Sequence, residues 1–138
     1  MKELSIEALL ENLQIVNDFI SEPLDLLGCS KKCKMQLDLV VEEIFVNIAS
    51  YAYDPPPGIA KIRYEIQEEP RAIILTFVDT GVPYNPLEKA DPDTTAALNE
   101  RQIGGLGIFL VKNMVDDISY EYKDKQNILT LKKLIRQC

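Results

Sequence analysis

The segment Tyr53-Asp54-Pro55-Pro56-Pro57-Gly58 constrains this chain most, because three consecutive prolines remove three backbone donors and end any helix that reaches them. The hydrophobic spacing changes across it. Before it, Leu9, Leu10, Leu13, Val16, Asn17 and Ile20 make a mostly apolar stripe at three- and four-residue intervals, which predicts a first helix broken at Pro23. Ser30 then stands as the cap of a long second helix over 31–50, whose Leu37, Val40, Val41, Ile44 and Ile48 gather on one face. After it, Ile62, Tyr64 and Ile66 alternate and 72–78 is a continuous β-prone run, so two adjacent antiparallel strands are expected.

The polar stretch 81–105 contains three prolines and reads as a loop or lid. A helical pattern resumes over 108–115, and strand patterns over 118–122 and 128–134 close the chain. Helices segregated from mainly antiparallel strands predict an α/β two-layer sandwich, with the helices packed on one face of a mixed, mainly antiparallel sheet. Arg63, Glu65 and Thr76 supply polar groups for the other face. At 138 residues the chain suits one domain over 1–138.

Composition narrows the function. A net charge of -7 argues against nonspecific attraction to nucleic acid or an anionic membrane. No apolar run approaches the roughly 18 residues that span a bilayer, and MKELSIEALLEN carries acidic residues where a leader would be apolar, so a cytoplasmic location is expected. With no histidine, a Ser-His-Asp arrangement and a histidine phosphoacceptor are both excluded. Cys29 and Cys33 lack the further ligands of a structural zinc site.

Three places can carry chemistry. Glu43 and Asn47 lie one helical turn apart at the border of the apolar face, a carboxylate able to polarise a hydroxyl beside a carboxamide able to offer oxygen to a hard cation. Asp79-Thr80-Gly81 ends an apolar strand, where an aspartate is held rigidly enough to accept a hydrogen bond from a purine amino group and Gly81 permits close approach. Gly104-Gly105-Leu106-Gly107 opens an apolar helix, whose first amides can receive phosphate oxygens, with Lys112 as an added positive charge. Taken singly, each also has an ordinary structural reading: a solvent-boundary pair, a turn, a helix start.

The ordered set Glu43-x-x-x-Asn47, Asp79-x-Gly81 and Gly104-x-x-Gly107 resembles the GHKL ATPase superfamily with its Bergerat fold. The phrases DTGVPYNP and GGLGIFLVKNMVDDISYEYKDKQNILTLKK are similar to bacterial anti-sigma factor serine/threonine kinases. That resemblance implies ATP and Mg2+ as cofactors, with Glu43 activating a protein hydroxyl, Asn47 holding magnesium, Asp79 reading the adenine amino group and Gly81 supporting the pocket floor. It implies that Gly104, Gly105, Leu106 and Gly107 wrap the phosphates, that Thr130 in the last strand assists adenine binding and that Arg101 assists the transferring phosphate. The implied partners are a STAS-like anti-anti-sigma protein and a sigma factor, with a homodimer as the expected assembly. An ATP-binding interaction module with little or no phosphotransfer is the alternative.

Overall fold

In a computed structural model of the chain, residues 1–55, 57–88 and 105–135 are described. Chain order runs β1 (Lys2–Glu7), a 3-10 turn (Leu10–Asn12), α1 (Leu13–Leu26), α2 (Lys31–Asn47), a π-helical turn (Ile48–Ala52), β2 (Ile59–Glu68) and β3 (Arg71–Asp79). A 3-10 turn (Pro86–Glu88), α3 (Gly105–Met114), β4 (Asp117–Lys123) and β5 (Gln126–Leu134) complete it. The strands form one sheet in the order β1-β2-β3-β5-β4, and all four pairings are antiparallel. The two-layer sandwich is as expected, but no parallel pair makes the sheet mixed among the described residues.

One face of the sheet holds the core. Ala60, Ile62, Ile73, Leu75, Phe77, Leu129 and Leu131 project from it against Val16, Ile20 and Leu24 of α1 and Leu37, Val40, Val41, Ile44 and Phe45 of α2. The opposite face carries Arg63, Glu65 and Thr76 at half-buried or exposed positions, because residues along a strand alternate between faces. The Ser30 hydroxyl accepts from the Cys33 amide at 3.1 Å and starts α2, as a cap should. Among the described residues no helix is long and apolar enough to cross a membrane.

Three local expectations are corrected. Residues 2–7, to which the sequence pattern assigns no element, form a strand, because Leu4 and Ile6 pair with Ile62 and Ala60 and turn inward with them. α1 runs through Pro23 to Leu26. Pro23 is buried near the helix end, where its missing N–H removes a single helical hydrogen bond. The last hairpin is tighter than a five-residue turn: Asp124 and Lys125 adopt φ of 53° and 62°, a two-residue connection that extends β5 back to include Asn127.

Candidate active site

α2 presents Glu43 half-buried at the edge of its apolar face, with Glu42 exposed beside it. Burial foremost, and then the Glu42 charge, raises the Glu43 carboxyl above the usual glutamate range. Its Oε2 lies against Gly107 of α3 so closely that a Cβ there would meet it at 2.1 Å. Glycine at 107 thus gives the carboxylate room beside the first turn of α3. Asn47 follows one turn further along α2, about 6 Å away, and its carboxamide makes no hydrogen bond to a described residue, so its oxygen is available to a ligand.

The helix does not stop at Asn47. It continues as the π-helical turn to Ala52, whose carbonyl accepts from Val82 N at 2.8 Å. A Cβ on Gly81 would meet that same carbonyl oxygen at 2.1 Å, so glycine is required here by close backbone approach. Tyr53 secures the junction: its hydroxyl donates to Ile59 O at 2.5 Å and accepts from Thr80 N at 2.9 Å. In this way the helix bearing Glu43 and Asn47 is joined to the strand end bearing Asp79.

Asp79 is 7% exposed, and its Oδ1 accepts from Gly81 N and Asn127 Nδ2, each at 2.9 Å. Its Oδ2 takes no hydrogen bond from the described residues and is the oxygen left for a ligand donor. Asn127, equally buried, also donates to Val82 O at 3.0 Å and accepts from Tyr84 N at 3.1 Å and from the Tyr120 hydroxyl. Burial, with the Asp79 charge adding to it, raises the Tyr120 phenol and keeps it a donor.

The sequence-predicted residues therefore divide. Glu43 and Gly107 are brought together, Asn47 adjoins them, and Asp79 and Gly81 meet at the other end of a continuous wall. Gly105 and Leu106 lie in the first turn of α3, whereas Arg101 and Gly104 fall outside the described residues. Lys112 sits in the last turn of α3, away from the helix start it was expected to serve. Thr130 is not part of this wall: it pairs with Thr76 and Ser119 on the face opposite the helices.

Asn127 is the residue that sequence reasoning missed. Leu129 and Leu131 are both inward, so a period of two places Asn127 on their face and Thr130 on the other, opposite Asp79 and Thr76 respectively. The signal was available once the strand was extended by one residue.

The site fits a magnesium nucleotide on its own geometry. It offers a carboxylate oxygen of the buried Asp79 for a base amino group, glycine contacts that side chains would fill, a carboxamide without a partner among the described residues for a cation and the first turn of a helix for phosphate oxygens. Among the described residues no group of three acidic or cysteine side chains could hold a metal ion.

The profile of the histidine kinase-like ATPase domain matches residues 6–133. A serine/threonine-protein kinase of Bordetella bronchiseptica, BtrW, is 30% identical over 102 residues, 74% of this chain and 71% of that protein. The serine-protein kinase RsbW of Bacillus mycoides is 23% identical over 139 residues, covering 98% of this chain and 86% of that one. In fold, the chain is similar to one from the SiaB-SiaC complex of Pseudomonas aeruginosa, with TM-score 0.60, 16% identity, and coverage of 96% of this chain and 89% of that one. It also resembles the blue-light activated histidine kinase of Erythrobacter litoralis, with TM-score 0.56 and 16% identity over 78% of this chain, but spans only 32% of that protein. The chain belongs to the histidine kinase-like ATPase domain family, among relatives that are serine/threonine protein kinases.

Proposed function

We propose that this ATP-dependent serine/threonine kinase is of the anti-sigma factor type: it phosphorylates a STAS-like anti-anti-sigma protein and holds a sigma factor inactive when that partner is phosphorylated. The observation that carries the reading is Glu43, a carboxylate of raised basicity, set against the first turn of α3 with Asn47 one turn away. Glu43 takes the proton of the acceptor hydroxyl as its oxygen bonds to the γ-phosphorus of ATP, and the bond to the β–γ bridging oxygen breaks to release ADP. Asn47 would hold Mg2+, which when bound neutralises phosphate charge.

Asp79 orients the adenine through Oδ2, and the amides at the start of α3 receive phosphate oxygens. The serine-protein kinase name of RsbW and the two-protein nature of the SiaB-SiaC complex support a protein acceptor. A cytoplasmic homodimer is part of the same proposal.

The test is calorimetric titration of the full chain with ATP, with and without magnesium and with GTP for comparison, followed by transfer of labelled γ-phosphate to a purified STAS-domain protein. Magnesium-dependent binding that prefers ATP, together with label on a serine or threonine of the partner, is the expected result. Tight binding with no transfer would replace the kinase reading with that of an ATP-gated binding module.

A further inference from the structure

The inward row of β5 reads Asn127, Leu129, Leu131 and Lys133, and Ile135 follows just past the strand. Two of these side chains are polar, and both are buried. Asn127 holds Asp79 at the base end of the site. Lys133, about 20 Å further along the strand, is 9% exposed and stands opposite the fully buried Ile73. Its Nζ donates to Met114 O, the last carbonyl of α3, at 2.5 Å, and among the described residues that is its one hydrogen bond.

Stability alone does not call for a lysine here. Burying an ammonium against a single acceptor is costly, and a methionine of nearly the same length would continue the apolar row without that cost. What the ammonium supplies is a fixed point for α3. Three bonds tie the end of that helix and the turn after it to β5: Lys133 Nζ to Met114 O, Asp116 N to Lys132 O at 2.8 Å, and Leu134 N to Asp116 Oδ2 at 2.7 Å. The last two hold Asp116, beyond the helix, whereas Lys133 grips the helix itself. It does so at a carbonyl that the helix leaves unpaired and at the negative pole of the helix dipole.

The chemistry lies at the opposite end of α3. This helix is about 15 Å long and packs on α2, with Ile108 and Val111 buried. Its first turn carries the amides for phosphate oxygens, and Gly107 there stands against the Glu43 carboxylate. Packed helices slide past one another by small shear motions, so the bond at Met114 fixes how far along Glu43 the first turn stands. Burial against α3 contributes to the raised Glu43 carboxyl, which therefore reports the position of the helix.

We propose that Lys133 is a positioning residue for phosphoryl transfer: by holding the last carbonyl of α3 it sets where the first turn of that helix stands against Glu43 and the nucleotide phosphates. Asn127 and Lys133 thus act from one strand, the first on the base end of the site and the second on the phosphate end. This role rests on the kinase reading, in which Glu43 is the base and the start of α3 receives phosphate.

The test compares the full chain with Lys133→Met, which removes the ammonium at nearly constant length, and with Lys132→Met, its neighbour on the opposite face of β5. Two readouts are taken from each. The first is NMR titration of the labelled Glu43 carboxyl without nucleotide, assigned by its absence in Glu43→Gln. Its midpoint should fall toward the ordinary glutamate range in Lys133→Met and stay with the parent in Lys132→Met. The second is calorimetry with magnesium and either ATP or adenosine. Lys133→Met should bind ATP about tenfold more weakly, the loss of roughly one amide bond to a charged phosphate, with adenosine affinity unchanged because Asp79 lies at the other end of the site. Lys133→Gln, whose side chain ends one atom short of the lysine's, carries the same comparison if the methionine variant does not fold.

An unmoved Glu43 midpoint or an undiminished ATP affinity in the Lys133 variant would overturn the proposal. So would equal losses of ATP and adenosine affinity, which mark a general loosening of the fold, or the same changes in Lys132→Met, which would make any charge lost from β5 sufficient. A parent chain that binds no ATP would remove the kinase reading, and the Glu43 titration would then decide alone whether Lys133 holds α3. A parent that binds ATP, beside a Lys133 variant whose Glu43 midpoint stays in place, would do the reverse.

Discussion

Asn127 donates its amide to Oδ1 of Asp79 at 2.9 Å across the β3–β5 pair, so the aspartate expected to read adenine is held by its own cross-strand neighbour. The same carboxamide also donates to Val82 O and accepts from Tyr84 N and the Tyr120 hydroxyl, satisfying both of its polar atoms in a buried position. One side chain thereby fixes the strand end, the loop after it and the next tyrosine.

Asn127→Ala removes these bonds together and leaves buried partners unpaired. It should cost about 1–3 kcal/mol of stability and weaken ATP binding about tenfold or more, measured by denaturant unfolding and calorimetry. Asn127→Asp should be worse for binding, because it sets a second carboxylate against Asp79. Undiminished ATP affinity in both variants would show that Asp79 needs no such support.

Asp79→Asn keeps an acceptor for the Gly81 amide but removes the charge. A hydrogen bond to a charged group contributes about 1.5–3 kcal/mol, so ATP affinity should fall about 10- to 100-fold, with the preference over GTP reduced. Asn47→Ala should leave nucleotide binding in chelator almost unchanged and abolish the gain from magnesium. Titration of each variant with and without magnesium separates the two roles.

The two site glycines should respond differently to alanine. At Gly81 the new Cβ would meet backbone, the Ala52 carbonyl, and something in the main chain must move. Gly81→Ala should therefore cost about 1–3 kcal/mol of stability as well as nucleotide binding. At Gly107 the atoms nearest the new Cβ belong to the Glu43 side chain, which can swing away. Gly107→Ala should fold nearly as well as the parent and lose transfer activity through displacement of Glu43, which melting curves and phosphotransfer assays together would reveal.

Much of this was legible in the sequence where periodicity was long enough to read. The apolar stripe of α2, its Ser30 cap and the alternation in β2 placed Glu43, Asn47 and Asp79 on the right elements. β1 was not legible, because six residues with only Leu4 and Ile6 inward become a strand through pairing with β2, some 50 residues away. Thr130 is implied by the family resemblance alone; strand parity sends it to the far face and puts Asn127 beside Asp79. The contact between Glu43 and Gly107 joins residues 64 positions apart, and no local pattern announces it.

Glu43 supplies the pH dependence. Burial, with the Glu42 charge behind it, raises its carboxyl above the ordinary value of 4.5, and only the ionised form can take a proton from the acceptor. The acid limb of kcat/KM should therefore lie above that value, move down in Glu42→Gln and vanish in Glu43→Gln, whose transfer rate should fall about 10²- to 10⁴-fold with ATP affinity retained. Stability should run the other way. A carboxyl whose pKa is raised on folding contributes stability that is complete below its unfolded value and is lost as pH rises through the folded one. At pH 7 the ionised Glu43 is thus a burden on the fold, and the neutral Glu43→Gln variant should melt at a higher temperature than the parent, with the difference closing toward pH 4. A variant that loses transfer but gains no stability at neutral pH would show that the Glu43 environment relaxes to solvate its charge.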